Sequence, residues 1–206
     1  MAQYFSMHPQ DPQPRLVKRA VEIVRAGGLV AYPTDSCYAL GCHIGDKDAM
    51  ERIARIRQTD AKHNFTLVCR DLSEIATYAK VDDWAFRVMK QHTPGPYTFI
   101  LPATREVPRR LQNPKRRTIG IRVPDHRVAQ ALLAALDEPL MSSTLILPGD
   151  ELALSDPDEI RERLEHLVDA VIDAGPCSLE PTTVVELDDG TARVLRRGRG
   201  ATKAFD

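Results

Sequence analysis

The chain has 206 residues, 43% of them hydrophobic and 28% charged, with a net charge of −1. That is enough to bury one substantial core, and the apolar runs fall well short of the roughly 20 residues that span a bilayer, so composition argues against a membrane helix and against disorder. Four scattered cysteines and six scattered histidines form no disulfide framework and no zinc-type spacing. With no basic-then-apolar leader at its start, the chain reads as one cytoplasmic domain over residues 1–206, core about 14–200, with no metal site of its own.

Leu16, Ala20, Ile23 and Val24 recur at helical spacing and stop at Gly27-Gly28, after which Leu29 to Tyr32 reads as a short strand cut off by Pro33. Asp46 caps a second helix with a face of Met50, Ile53, Ala54 and Ile56. Phe65 to Cys69 is a strand, Asp71 caps a short helix through Tyr78, and Asp82 or Asp83 starts another with Trp84, Val88 and Met89 inward. Beyond the Pro94-Gly95-Pro96 turn come strands at Tyr97 to Leu101 and Thr118 to Val123, joined by loop. Val128, Ala131, Leu132 and Leu136 make a helix and Leu140 to Leu147 a buried strand. Asp156-Pro157 then opens an acidic helix with proline at its first position. Three strands close the chain, in VDAVID, TTVVEL and ARVLRR, the last two joined across Asp188-Asp189-Gly190 as a hairpin. Helices interleaved with strands predict an α/β protein, a single twisted mixed sheet flanked by helices.

The small net charge hides a sorting. Between Arg105 and Arg127 stand eight cations against two acids, and Arg193, Arg196, Arg197, Arg199 and Lys203 follow one another with no acid between them. Asp150 to Asp173 carries nine acids. Two basic clusters can converge on one anion, whereas the acidic helix reads equally as a solvated face. Thr34-Asp35-Ser36 follows a strand end, where backbone and short side chains are free to face a ligand or simply to cap a turn. Arg55 and Arg57 close a helix, with Lys62 and His63 soon after; residues two apart diverge on a helix, so their convergence needs the helix to end there. Ser142, Ser143 and Thr144 interrupt a buried strand, so their hydroxyls either bond neighbouring backbone or face a cavity, and Thr182-Thr183 poses the same choice. Several arginines with hydroxyls suit a phosphorylated ligand, because the guanidinium fork matches phosphate oxygens.

Taken in order, YPTDSCYALGC, RIRQ, PGPYTFIL, IRVPDHRVAQALL, SSTLILPG, PTTVVEL and VLRRG resemble the YrdC/YciO family from about Gly28 to Gly198, with HNFTL pointing to its YciO branch. The resemblance implies a YrdC/RibB-like fold with a large central cavity. It also implies a nucleotidyltransferase activity, in which ATP, L-threonine and bicarbonate give threonylcarbamoyl-AMP and pyrophosphate for the t6A modification of tRNA, with Mg²⁺ accompanying ATP. Carried over by position, Arg55 and Arg57 are the catalytic cations against the triphosphate and Thr34 helps hold threonine. Lys62, His63, Arg122, Ser142, Thr144, Thr183 and Arg196 complete the substrate site. Two departures predict weakened or altered activity: Arg55 replaces a lysine, and Leu145-Ile146 stand where the synthases have Ala-Asn. An amide that both gives and takes hydrogen bonds is not imitated by either side chain. Two further readings stay open. One is a protein of the same fold that holds double-stranded RNA, tRNA or tRNA-modification proteins without synthase activity. The other is a nucleotide-binding domain with a different adenylyl or acyl substrate.

Overall fold

The computed structural model describes residues 1–59 and 65–205. Ten strands form one mixed sheet in the order β1-β8-β2-β3-β7-β4-β6-β5-β9-β10. In chain order these are β1 (Gln3–Ser6), β2 (Val30–Tyr32), β3 (Ala39–His43), β4 (Thr66–Val68), β5 (Tyr97–Pro102), β6 (Thr118–Arg122), β7 (Leu140–Thr144), β8 (Ala170–Asp173), β9 (Thr183–Asp188) and β10 (Thr191–Arg196). The helices are α1 (Pro14–Arg25), α2 (Lys47–Arg57), α3 (Leu72–Tyr78), α4 (Asp83–His92), α5 (Arg127–Leu136) and α6 (Pro157–Leu164). Their starts follow local chemistry. Asp46, Asp71, Asp82 and Asp156 each accept a backbone N–H of the first turn, and Pro14 and Pro157 open α1 and α6.

Side chains alternate across a strand, so the pairing register sorts them into rows. On one face Met141, Leu67, Ile121, Phe99 and Val185 lie side by side, all fully buried. With Ile53 of α2, Ile75 of α3, Met89 of α4 and Ile160 of α6 they form the larger core. The other face is divided. Its β1-β8-β2-β3 half packs Phe5, Ile172, Val30 and Tyr32 under α1 and α5. That core reaches into the other half only at Val68 of β4 and Leu140 of β7, and the row across the remaining sheet is Gly41, Ser142, Thr66, Gly120, Ile100, Glu186 and Arg193. A strand buried on both faces would not carry such residues; this half of the sheet is built to be left open.

Several expected elements shift. Strand β1 precedes the core drawn from residue 14 and pairs parallel with β8, where Tyr4 donates to Asp173 at 2.8 Å. Between Pro33 and Asp46 no strand was expected, yet β3 lies there and pairs with both β2 and β7. The buried face of α1 is Val17, Ala20, Val21 and Val24, with Leu16 and Ile23 at its margin. The strand expected to run to Leu147 ends at Thr144; the Leu145 N–H still donates to the Tyr38 carbonyl in register, and the chain then turns, with the Ile146 N–H donating to the Thr144 carbonyl at 3.0 Å. None of the described helices is long and apolar enough to cross a membrane.

Candidate active site

The open half of the sheet is the floor of a cavity of about 420 Å³, within the range that holds small ligands, roughly 300–1,000 Å³. Thr66, Thr98, Gly120 and Ser142 line the floor, Ser36 and Cys37 one wall, Asn113 and Arg116 another, and Arg57 and Arg196 face it from the ends of α2 and β10. Gly120 lies at the centre. A Cβ there would come within 3.3 Å of both Ile100 Cδ1 and Thr98 Cγ2, so glycine keeps the floor low.

Arg196 reaches the cavity through an irregularity. The β9–β10 register shifts between Val194 and Arg196, so that Arg196, and not Leu195, comes opposite Val184 on the open face. A bulge of this kind re-aims a side chain. Although Arg196 is exposed as a residue, its guanidinium turns inward and donates to the Thr182 carbonyl at 2.9 Å and to Thr182 Oγ1 at 3.3 Å. Arg57 donates to Ser143 Oγ at 2.5 Å and to the Ile146 carbonyl at 3.3 Å. Burial lowers both guanidiniums below their ordinary value, and Arg57 is lowered further by Arg196. Both cations line the one cavity, where an anion would be met by positive charge from two sides.

Behind the wall Arg122, 6% exposed, donates to Asp35 Oδ1 and to Ser36 Oγ at 3.1 Å. Asp35 Oδ2, Arg122 Nε and His126 Nδ1 are buried with no hydrogen-bond partner among the described residues. Burial lowers the His126 imidazole, while Asp35 opposes it. Tyr32 shares a 2.7 Å hydrogen bond with Ser142 Oγ, and burial pushes its phenol up to about 12. Cys37 is pushed up to about 11 by burial, so at neutral pH the thiol in the cavity wall is protonated.

The structure gathers Arg57, Arg122, Ser142, Thr144 and Arg196 on this cavity. It does not gather Arg55, which is exposed and donates weakly to the Glu51 carbonyl at 3.4 Å. Two residues along a helix is a rotation of about 200°, and α2 remains helical through Arg57, so the pair diverges. Thr34 lies beneath the wall with its hydroxyl spent on the turn, donating to the Cys37 carbonyl at 2.7 Å and accepting from the Ser36 N–H at 3.1 Å. Thr183 is fully buried, donating to the Gly200 carbonyl at 2.6 Å, and its neighbour Thr182 faces the cavity. Lys62 and His63 lie outside the described residues. Of the departures from the S-T-S-A-N pattern, Leu145 is fully buried and Ile146 presents an apolar wall to the cavity. Thr66, Thr98 and Glu186 were missed, while Ser36 lines the cavity in place of its neighbour Thr34. The signal was there in β4 and β5, whose single hydroxyls interrupt FTLVC and YTFIL at an alternating position.

Over residues 22–198 the sequence matches the Sua5/YciO/YrdC family profile, described as telomere recombination. It is 60% identical over 205 residues to the uncharacterized protein YciO of Escherichia coli (strain K12), covering 100% of both chains. The crystal structure of E. coli YciO superposes with a TM-score of 0.96. A threonylcarbamoyl-AMP synthase of Chromobacterium violaceum is 33% identical over 189 residues, covering 91% of this chain and 96% of that one. The fold also matches P. abyssi Sua5 complexed with L-threonine, at a TM-score of 0.86 and 24% identity, over 95% of this chain and 57% of that one.

Proposed function

This chain belongs to the Sua5/YciO/YrdC family, and from that membership we propose that it binds ATP, L-threonine and bicarbonate in the sheet-face cavity and joins them as threonylcarbamoyl-AMP, releasing pyrophosphate. The observation that carries this reading is the pair Arg57 and Arg196, two guanidiniums from separate elements that line one hydroxyl-bearing cavity. In the reaction, the threonine nitrogen first bonds to the bicarbonate carbon as a C–O bond of the bicarbonate breaks and water leaves, giving a carbamate. A carbamate oxygen bonds to the α-phosphorus while the bond from that phosphorus to the bridging oxygen breaks, and pyrophosphate leaves with the electron pair. The protein supplies no covalent nucleophile in this scheme, consistent with the protonated Cys37 thiol. Arg57 and Arg196 hold the phosphoryl oxygens as charge accumulates on the leaving group, and fixed donors of this kind act without reorganising.

The described side chains do not make a Mg²⁺ cage: no three His, Cys, Asp or Glu gather, and Asp35 and Glu186 are both engaged by arginines. Mg²⁺ enters this reading only as a companion of the triphosphate, and no step is assigned to it. The apolar Ile146 wall favours a lower rate than an amide there would give. Incubation with ATP, threonine and bicarbonate, followed by detection of pyrophosphate and the adenylate, tests the reading; no product at high protein concentration overturns it.

A second reading has its own support. Arg116 and Arg193, one from each basic cluster of the sequence, are exposed and line the hollow beside the first cavity. A duplex or folded RNA such as tRNA held there without catalysis would lose affinity steeply with added salt.

A further inference from the structure

Beside the first cavity lies a second hollow of about 640 Å³, and the two share Ile100, Arg116, Thr118 and Glu186. The partition between them is an ion cluster. Arg116 donates to Glu186 Oε1 at 2.6 Å and Arg193 to Oε2 at 2.5 Å. The carboxylate side chain is 12% exposed, whereas Arg116 and Arg193 are 61% and 62% exposed. The two arginines come from separate places, one from the turn that Asn113 organises by accepting the N–H groups of Lys115 and Arg116, the other from β10.

This arrangement is anomalous for an anion site. Among the described residues Glu186 is the one carboxylate lining the first cavity, in a floor row otherwise made of glycine, hydroxyls, Ile100 and Arg193, and it would repel an incoming phosphate. Yet its two oxygens, each met by a guanidinium, present the geometry that two oxygens of a phosphoryl group present to the same donors. We infer that Arg116 and Arg193 form a second phosphate subsite, for a small polyphosphate-bearing ligand that extends out of the first cavity, and that the Glu186 carboxylate occupies this subsite until such a ligand displaces it. The inference rests on the reading of the first cavity as a polyphosphate site. Asp188, also on the second hollow, is exposed and limits how much further anionic charge that hollow accepts.

The test is calorimetric binding of inorganic tripolyphosphate and of orthophosphate to the full chain. Glu186→Gln is expected to tighten tripolyphosphate about tenfold, the worth of one charged hydrogen bond regained, with orthophosphate changed far less. Adding Arg116→Gln and Arg193→Gln to that variant should abolish the gain. No gain, a gain that survives loss of both arginines, or a gain seen only with a short RNA duplex overturns the subsite. If Glu186→Gln does not fold, Arg116→Gln/Arg193→Gln alone decides: a several-fold loss for tripolyphosphate with orthophosphate spared is expected, and an unchanged affinity overturns it. Arg196→Gln separates the two claims. Tripolyphosphate binding that is indifferent to Arg196 refutes the reading of the first cavity, while the Glu186 comparison bears on the subsite.

Discussion

Replacing Arg122 by methionine keeps the aliphatic stem in the wall and removes the one cation that pairs with Asp35 among the described residues. Asp35 is 10% exposed at its side chain, and its second oxygen already has no partner among the described residues. The variant therefore leaves a carboxylate nine-tenths buried with no ion-pair partner among the described residues. Breaking a buried pair on one side costs roughly 3–5 kcal/mol. In a domain of this length 1 kcal/mol moves Tm by about 2–4 °C, so Arg122→Met should melt roughly 6–20 °C lower. The pair itself is poorly satisfied, since Arg122 Nε is orphaned too, and such pairs contribute little net stability over neutral groups of similar shape. Arg122→Met/Asp35→Asn should therefore recover about half or more of the loss, a coupling of about 2 kcal/mol. Urea denaturation of the wild type, both single variants and the double variant closes the cycle. A double variant as unstable as the sum of the singles would refute the reasoning, because the loss would then come from the wall's packing and not from an abandoned charge.

Arg196→Gln should weaken tripolyphosphate or ATP binding about tenfold or more by calorimetry, while Arg55→Gln, at an exposed site outside the cavity lining, should change it less than about twofold; equal losses would restore Arg55 to the site. Gly120→Val places methyl groups over a floor where a Cβ alone already meets Ile100 and Thr98 at 3.3 Å, so ligand binding should fall about tenfold or more and stability by about 1–3 kcal/mol; unaltered binding would mean that the ligand sits elsewhere. With its thiol raised from 9.0 to about 11, Cys37 carries ~100-fold less thiolate at pH 8 than an ordinary cysteine, and native-state alkylation followed by mass spectrometry should be slow there and rise with pH towards 11. Labelling at pH 8 as fast as in the unfolded chain would count against the burial that raises it.

Much of the fold was legible because local chemistry and tertiary demand agree in it. The Asp46, Asp71 and Asp156 caps, the proline at the start of α6 and the Asp188 to Gly190 hairpin say the same thing at short and long range. The misses have physical causes. Strand β1 is short, at the sheet edge, and held by Tyr4 bonding to Asp173, 169 residues away, a contact no local pattern encodes. Strand β3 carries Gly41 because Tyr32 from β2 lies over it, where a Cβ would come within 2.8 Å of the ring. A residue chosen for a neighbour's bulk looks, in sequence, like a turn.

The candidate site divides along the same line. Residue types survived the step from sequence to structure better than residue positions did: arginines and hydroxyls do converge, but Thr182 and not Thr183 faces the cavity, Ser36 and not Thr34, and Arg57 without Arg55. In the first pair a one-residue step along β9 exchanges the two faces of the sheet, so only the pairing register could have chosen between neighbouring threonines. Arg196 does line the cavity, yet simple alternation counted from Val194 would have put Leu195 opposite Val184; the bulge reverses that. Sites of this kind depend on departures from regular pairing. The hydroxyl content of a strand therefore shows that a polar hollow exists, while the register and its irregularities determine which atoms a ligand meets.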